Sequence, residues 1–310
     1  MAVGLLYQDD SVALTAYWQA FRQAVQTRPD YTVAPTPADL AFPWEDVALE
    51  TNWPRYGRQH EAFVRGTYDN ENYNRYLDQL LDCPQPLCIV NMSPYTLTPD
   101  YMIGNRHLVA ADCSLTVHDR AHNPRTISMP ALPLVSGRFD PSRKKYLASF
   151  RGGANHPVRQ ALMRLNEIPG FLCELPERTA GYIGTIDASE KRIDSAYHDL
   201  LDQSVFALVP RGDAHFSYRL LESLSFGCIP IILSDGWVLP FDRTIRWREM
   251  SLHMPEAATD RIPSLLAQLS PETIHALQTR VVEVYNRRLA SMDLIVETLI
   301  DEARLILDLR

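Results

Sequence analysis

Apolar and polar positions fall in blocks along this chain, and the block lengths predict its elements. From about residue 145 the blocks are regular. YLASF (146–150), FLCEL (171–175), VFALV (205–209) and CIPIIL (228–233) are short apolar runs bounded by turn residues, which is the pattern of buried strands. Helical stretches separate them, at about Pro157 to Asn166, at about 188–202, and at 217–227, where SYRLLESLSFG ends on Gly227 as a C-cap. Helices at about 259–269, 271–290 and 292–308 complete the chain. The last places Ile295, Leu299, Ala303 and Ile306 at core-packing spacing. Short apolar strands alternating with helices predict a parallel sheet covered on both faces. The upstream half is less regular. Strands are expected at Leu87 to Asn91 and His107 to Ala111, and helices at about 11–26 and 70–82.

Composition narrows the class. The 310 residues are 46% hydrophobic and 22% charged, ordinary globular usage that excludes a disordered or fibrous chain. At this length two domains, or one large one, are expected. No run approaches the roughly 20 apolar residues of a membrane-spanning helix. The start, MAVGLLYQDD, has no basic segment and reads as neither signal peptide nor anchor. The net charge of -8 disfavours a nucleic-acid coat. The 30 bases are 27 Arg and 3 Lys, which leaves local arginine sites for a phosphorylated ligand open; the excess has an equally good source in genome composition. Cys88, Cys173 and Cys228 sit in apolar runs and read as core residues of a reducing compartment. Cys83 and Cys88 lack a partner pair at metal spacing.

Parallel sheets bind ligands beyond the carboxyl ends of their strands. The informative loops are therefore RGGANH (151–156), PRGDAHFS (210–217) and SDGWVLP (234–240). Two carry an Arg beside a Gly. Gly lets backbone amides approach an anion, while Arg and a following helix start supply positive potential.

The stretch SVFALVPRGDAHFSYRLLESLSFGCIPIILSDGWVLPF (204–241) closely resembles the signature of the exostosin family, glycosyltransferase family 47. The shared order is Pro-Arg-Gly, Ser-x-Arg, a Glu-bearing helix, Gly-Cys-Ile-Pro, Ser-Asp and Leu-Pro-Phe. YLASFRGGANHPVRQAL (146–162) is similar to the family's Phe-Arg-Gly strand and loop with its downstream Arg, and TIRWREMSL (244–252) to the segment after the signature. NRHLVAADCS (105–114) and ISMPALPL (127–134) resemble it more weakly. The resemblance implies an α/β chain of GT-B class, two Rossmann-like domains with parallel sheets facing across a cleft. Residues 1–140 would form the acceptor domain and 141–290 the nucleotide-sugar domain, with 291–310 a helix packing back on the first.

It also implies roles. Glu222 would accept the donor ribose hydroxyls, for which a carboxylate's two oxygens suit a vicinal diol. Arg151 and Arg211 would bind the pyrophosphate, each with a surface ion pair as its alternative. Arg219, three residues before Glu222 on one helical face, either binds phosphate or orients that carboxylate. Gly152, Gly153 and Gly212 would admit the backbone, and Ser217 would cap the helix, contact phosphate or do both. Ser234 and Asp235 face the cleft by the strand-end rule, and His156 and His215 lie in the donor loops. Candidates for the base that deprotonates the acceptor are Asp112, Asp69, Glu71 and His107. The chain has no Asp-x-Asp triplet, in keeping with metal-independent transfer and no cofactor beyond the co-substrate.

The expected enzyme is thus an inverting transferase moving a sugar, most simply from a UDP-sugar, to a glycan hydroxyl. It fits polysaccharide, lipopolysaccharide or capsule assembly in a bacterial cytoplasm, with peripheral attachment to a membrane or to other assembly enzymes left open. A GT-B enzyme using a GDP-sugar, as fucosyltransferases do, and an inactive glycan-binding GT-B protein are the alternatives. A dinucleotide oxidoreductase is disfavoured because no Gly-x-Gly-x-x-Gly opens a helix after the first strand.

Overall fold

The structure is a computed structural model describing residues 3–6, 16–32, 40–43, 85–91, 108–131, 133, 135–176 and 195–308. The predicted helix at 70–82 and three candidate bases, Asp69, Glu71 and His107, lie outside the described residues. The chain divides into two units. Among the described residues, one gathers those up to Met129 together with the helix from Met292, and the other those of Pro130–Gly181 and Lys191–Ser291.

In the first unit the described strands are β1 (Val3–Leu6), β2 (Tyr31–Thr32), β3 (Leu40–Pro43), β4 (Leu87–Asn91), β5 (Leu108–Asp112) and β6 (Thr126–Ser128). They form a parallel sheet in the order β2-β1-β3-β4-β5-β6. β5 lies one residue further on than the apolar run implied. Every residue of it is buried, as expected for a strand covered on both faces. Helix α1 (Ala16–Gln26) buries Phe21, Ala24 and Val25, the i, i+3, i+4 positions of one stripe, and Phe21 meets Phe42 of β3 edge-on at 5.4 Å. The short helix α2 (Val117–His122) starts from a capping box between Thr116 and Asp119.

The second unit holds β7 (Tyr146–Arg151), α3 (Pro157–Ala161), β8 (Phe171–Glu174), α4 (Ser195–Asp202), β9 (Ser204–Pro210), α5 (Arg219–Ser225), β10 (Ile229–Leu233), β11 (Leu252–His253), α6 (Ile262–Leu266) and α7 (Pro271–Val284). The final helix, α8 (Met292–Leu307), packs on α1 and β6 of the first unit, with Ile295, Leu299 and Ala303 buried.

The second sheet is also parallel, in the order β11-β10-β9-β7-β8. The period of two along β9 sorts its core: Phe206 and Leu208 join Phe150, Phe171, Ile229 and Ile231 on one face, while Ala207 meets Tyr197, Leu201, Phe226 and Cys228 on the other. Fully burying each large apolar side chain contributes about 1.5–3 kcal/mol. Between β7 and β9 the buried hydroxyls of Ser204 and Ser149 bond each other at 2.6 Å, and Ser204 also donates to Leu200 O.

Helix boundaries differ from the sequence reading where local chemistry intervenes. α5 ends in a Schellman motif. Gly227 takes φ 65°, its N–H donates to Leu224 O, and Cys228 N–H donates to Ser223 O. α6 begins only at Ile262 because Pro263, which has no N–H, suits a first turn and not an interior; a 3-10 turn covers Glu256–Arg261 instead. α7 passes into a π turn at Tyr285–Leu289, so 271–290 is not one regular helix. Cys88, Cys113, Cys173 and Cys228 are buried and form no disulfide with one another.

Candidate active site

Strand order locates a site before any side chain is considered. From β7 the chain moves outward to β8 and then returns past β7 to β9, so the order reverses between β7 and β9. At such a switch point the loops leaving two adjacent strands diverge and open a crevice at their carboxyl ends. Those loops are 152–156 after β7 and 211–218 after β9; one Arg-Gly pair spans the end of β7 and the start of its loop, and the other opens the loop after β9.

Arg151 closes β7. The register sets it opposite Glu174, the last residue of β8, and its Nη1 donates to Glu174 Oε2 at 2.7 Å. This ion pair is part-exposed, with side-chain exposures of 18% and 39%, so it is a weak bond that a more highly charged anion can displace. Arg211 begins the next loop. Its N–H extends the ladder to Leu233 O of β10. Arg211 Nη1 lies 3.1 Å from His215 Nε2, and since a guanidinium only donates, that ring nitrogen accepts.

Two further arginines hold these strand ends. Arg219 Nε and Nη2 both donate to Arg151 O, at 3.0 and 2.7 Å. Its guanidinium lies 5.1 Å from the Phe150 ring centroid and 5.7 Å from that of Tyr197. Arg159 is 6% exposed. Its Nε donates to Arg211 O at 2.8 Å and its Nη1 to Gly153 O and Asn155 Oδ1 at 3.2 and 2.7 Å. Asn155 Nδ2 in turn donates to Asp213 Oδ2 at 2.9 Å and so joins the two loops.

Glu222, in the first turn of α5, is 3% exposed and accepts a hydrogen bond from Tyr197 Oη at 2.7 Å. Burial, followed by the negative charge of Glu222, pushes the Tyr197 hydroxyl well above its ordinary value, so Tyr197 remains a neutral donor. Ser217 does not cap α5: the cap position is Tyr218, and no side chain fills that role. The Ser217 hydroxyl is instead enclosed without a hydrogen-bond partner, an arrangement that disfavours the bare protein and favours a ligand that supplies one.

Ser234 Oγ donates to His215 O at 2.8 Å, tying the loop after β10 to the loop after β9. Asp235 is turned to Glu256 in a reciprocal clasp: Asp235 N donates to Glu256 Oε1, and Glu256 N to Asp235 Oδ1. His156 caps α3, its Nδ1 accepting from Val158 N at 3.3 Å.

The first unit treats the one described base candidate differently. Asp112 ends β5, is fully buried, and accepts Ser114 N at Oδ1 over 2.7 Å, which makes it the hinge of an Asx turn.

The described second unit lies largely within residues 87–269, which match the family model for the exostosin GT47 domain. The chain belongs to the exostosin GT47 family. Exostosin-1 of Drosophila melanogaster is 31% identical over 188 residues, 57% of this chain and 25% of the fly protein. The exostosin-1 homolog of Caenorhabditis elegans is 39% identical over 99 residues, 32% of this chain and 26% of its own. The chain thus spans about a quarter of the length of these curated exostosins. Among solved structures, a glycosyltransferase from Rickettsia africae superposes with a TM-score of 0.48 at 8% identity, covering 100% of this chain and 99% of its own. The GT-B assignment rests on the two parallel sheets in two units rather than on that superposition.

Within this exostosin domain, Arg151, Gly152, Gly153, Arg211, Gly212, Ser217, Arg219 and Glu222 all lie on or beside the loops of one switch point. Ser234 joins them through His215, while Asp235 faces Glu256 instead. Sequence reasoning did not single out Glu174, Asn155, Arg159 or Tyr197 as site residues. Arg159 was visible only as the Arg downstream of Phe-Arg-Gly. Glu174 becomes readable once the β7–β8 register is known.

Proposed function

We propose that this exostosin-family chain is an inverting glycosyltransferase that moves a sugar from a UDP-sugar to a glycan hydroxyl. The observation that carries the reading is the switch point of the second unit, where Arg151 and Arg211 sit at adjacent strand ends beside buried Glu222, on the helix that follows β9, and its donor Tyr197 on α4. Two cations on diverging loops suit a diphosphate, and a buried carboxylate held by a neutral donor suits a ribose diol. The partnerless Ser217 hydroxyl supports its assignment as a further donor contact.

In the proposed step a base takes the proton from the acceptor hydroxyl. The acceptor oxygen bonds the anomeric carbon in line as the bond from that carbon to the phosphate oxygen breaks, and the electron pair leaves on the diphosphate. Arg151 and Arg211 stabilise the charge that develops there, so this reading needs no metal and no further cofactor. The turn-forming role of Asp112 shifts the choice of base to Asp69, Glu71 or His107. The second unit is thereby assigned the donor and the first the acceptor. Cys88, Cys173 and Cys228, buried as thiols in apolar runs, support a reducing compartment such as the cytoplasm. Among the described residues no helix is long and apolar enough to cross a membrane. Polysaccharide assembly in a bacterium is the setting this reading favours.

The test pairs a hydrolysis panel of UDP-, GDP- and CMP-sugars with UDP calorimetry on Arg211→Ala and Glu222→Ala. UDP-sugar turnover and about 10- to 100-fold weaker UDP binding in each variant are expected, the worth of one charged hydrogen bond. GDP-sugar preference would move the chain to the fucosyltransferase-like reading. Glycan binding without any turnover would make it a binding protein, and unchanged UDP affinity in both variants would overturn the site.

A further inference from the structure

The four arginines of the switch point divide into two kinds, and the division is crossed. Arg159 lies on α3, the helix that follows β7, yet it binds the backbone carbonyl of Arg211, after β9. Arg219 begins α5, the helix that follows β9, yet it binds the backbone carbonyl of Arg151, at the end of β7. Each helix therefore holds the strand end of the other.

The glycines follow the same crossing. A Cβ on Gly152 would stand 1.8 Å from Arg219 Nη2, and one on Gly212 would stand 2.8 Å from Arg159 Nη2. The Gly after each donor-loop arginine thus clears space for the opposite clamp. The sequence motif reads Arg-Gly twice because each loop must both present one guanidinium and admit another. This differs from the expectation that these glycines serve only to bring backbone amides to phosphate.

We propose that Arg159 and Arg219 are positioning residues that act through the opposite donor arginine, Arg159 through Arg211 and Arg219 through Arg151. The proposal rests on the reading that Arg151 and Arg211 bind the donor diphosphate. The chemistry requires the planar fork. Arg219 meets one carbonyl with two N–H groups, and Arg159 meets acceptors on both loops from one plane. Lysine keeps the charge but concentrates its donors at a single point. Fixing the carbonyl of a residue fixes its Cα and the direction in which its side chain leaves, so each clamp aims the arginine it holds.

Double-mutant cycles in UDP affinity test the crossing. The variants are Arg159→Lys and Arg219→Lys, each alone and combined with Arg151→Gln or Arg211→Gln, with UDP calorimetry as the readout and a thermal melt as the folding control. Each single variant is expected to weaken UDP about tenfold, the order of one charged hydrogen bond. Arg159→Lys should cost less than about twofold more on the Arg211→Gln background but its full effect on the Arg151→Gln background, with the reverse for Arg219→Lys. A role confined to stability would show no such pairing.

Gly212→Ala and Gly152→Ala displace the same clamps without removing them. They should reproduce the same crossed pattern, which keeps the test open if a lysine variant fails to fold. Independent, multiplicative losses in all four pairs would overturn the proposal alone, as would clamp variants that leave UDP affinity unchanged. Unchanged affinity in Arg151→Gln and Arg211→Gln themselves would instead overturn the donor reading, and the proposal with it.

Discussion

The two sheets share an architecture, yet their described strand ends do opposite things. In the first unit β5 ends in Asp112, whose carboxylate turns back to Ser114 N and closes the turn on itself. In the second unit β7 ends in Arg151 and β9 is followed directly by Arg211, and the carbonyls of both are held by arginines from elsewhere. The first arrangement uses its carboxyl to shape a local turn and leaves it fully buried. The second spends two guanidinium groups on backbone carbonyls so that two others are aimed. A parallel sheet offers strand ends for any chemistry, and the loops decide whether they are used.

Phe206 is fully buried in the core under the switch point, so Phe206→Ala should cost about 3–5 kcal/mol in chemical denaturation. A loss below about 1 kcal/mol, the scale of a surface substitution, would mean the site does not stand on a packed sheet.

Asp112→Ala separates the two edges directly. It removes the acceptor for Ser114 N, should lower stability by about 1–3 kcal/mol, the cost of a buried donor left unsatisfied, and should leave UDP affinity unchanged. Intact stability with abolished transfer would return Asp112 to the role of base.

Tyr197→Phe removes the phenol that donates to buried Glu222 and should cost about 1–3 kcal/mol while also weakening UDP. A stability loss with unchanged UDP affinity would make the Tyr197–Glu222 pair purely structural.

The smallest effect is one of pH. Burial raises the Cys228 thiol from its ordinary 9.0 to about 11 and raises Tyr197 above 10.0. Both groups hold their protons more tightly folded than unfolded. Their contribution is therefore complete below about pH 9 and is lost as pH rises through the folded values. The unfolding free energy from urea titrations should be level up to about pH 9 and then fall, by about 1 kcal/mol for Cys228 over the next unit. A decline beginning below pH 8 would point to groups other than these.

The sequence was most readable where period and punctuation act locally. The apolar runs at 146–150, 171–175, 205–209 and 228–233 all proved to be strands of one sheet, and Gly227 does end its helix. The loops carrying the Arg-Gly pairs were legible because strand-end loops hold ligands whatever the sheet. The clamping was not: Arg219 stood out only as a phosphate ligand or an orienter of Glu222, and Arg159 only as the Arg downstream of Phe-Arg-Gly. Arg159 and Arg219 act on backbone carbonyls of a non-consecutive strand, and a carbonyl leaves no trace in residue type. Tyr197 reaches Glu222 across 25 residues of chain, a contact that only the packing of α4 beside α5 creates. Helix ends were misjudged at Pro263 and at the π turn of Tyr285–Leu289, where local backbone chemistry overrode an apolar period.

A crystal soaked with UDP decides whether the nucleotide end of the donor binds at the switch point of the second unit. Diphosphate density is expected between the loops after β7 and β9, within hydrogen-bonding distance of Arg151 and Arg211, with the ribose toward Glu222. Diphosphate density at the strand ends of the first sheet, with those two arginines unmoved and uncontacted, would contradict it.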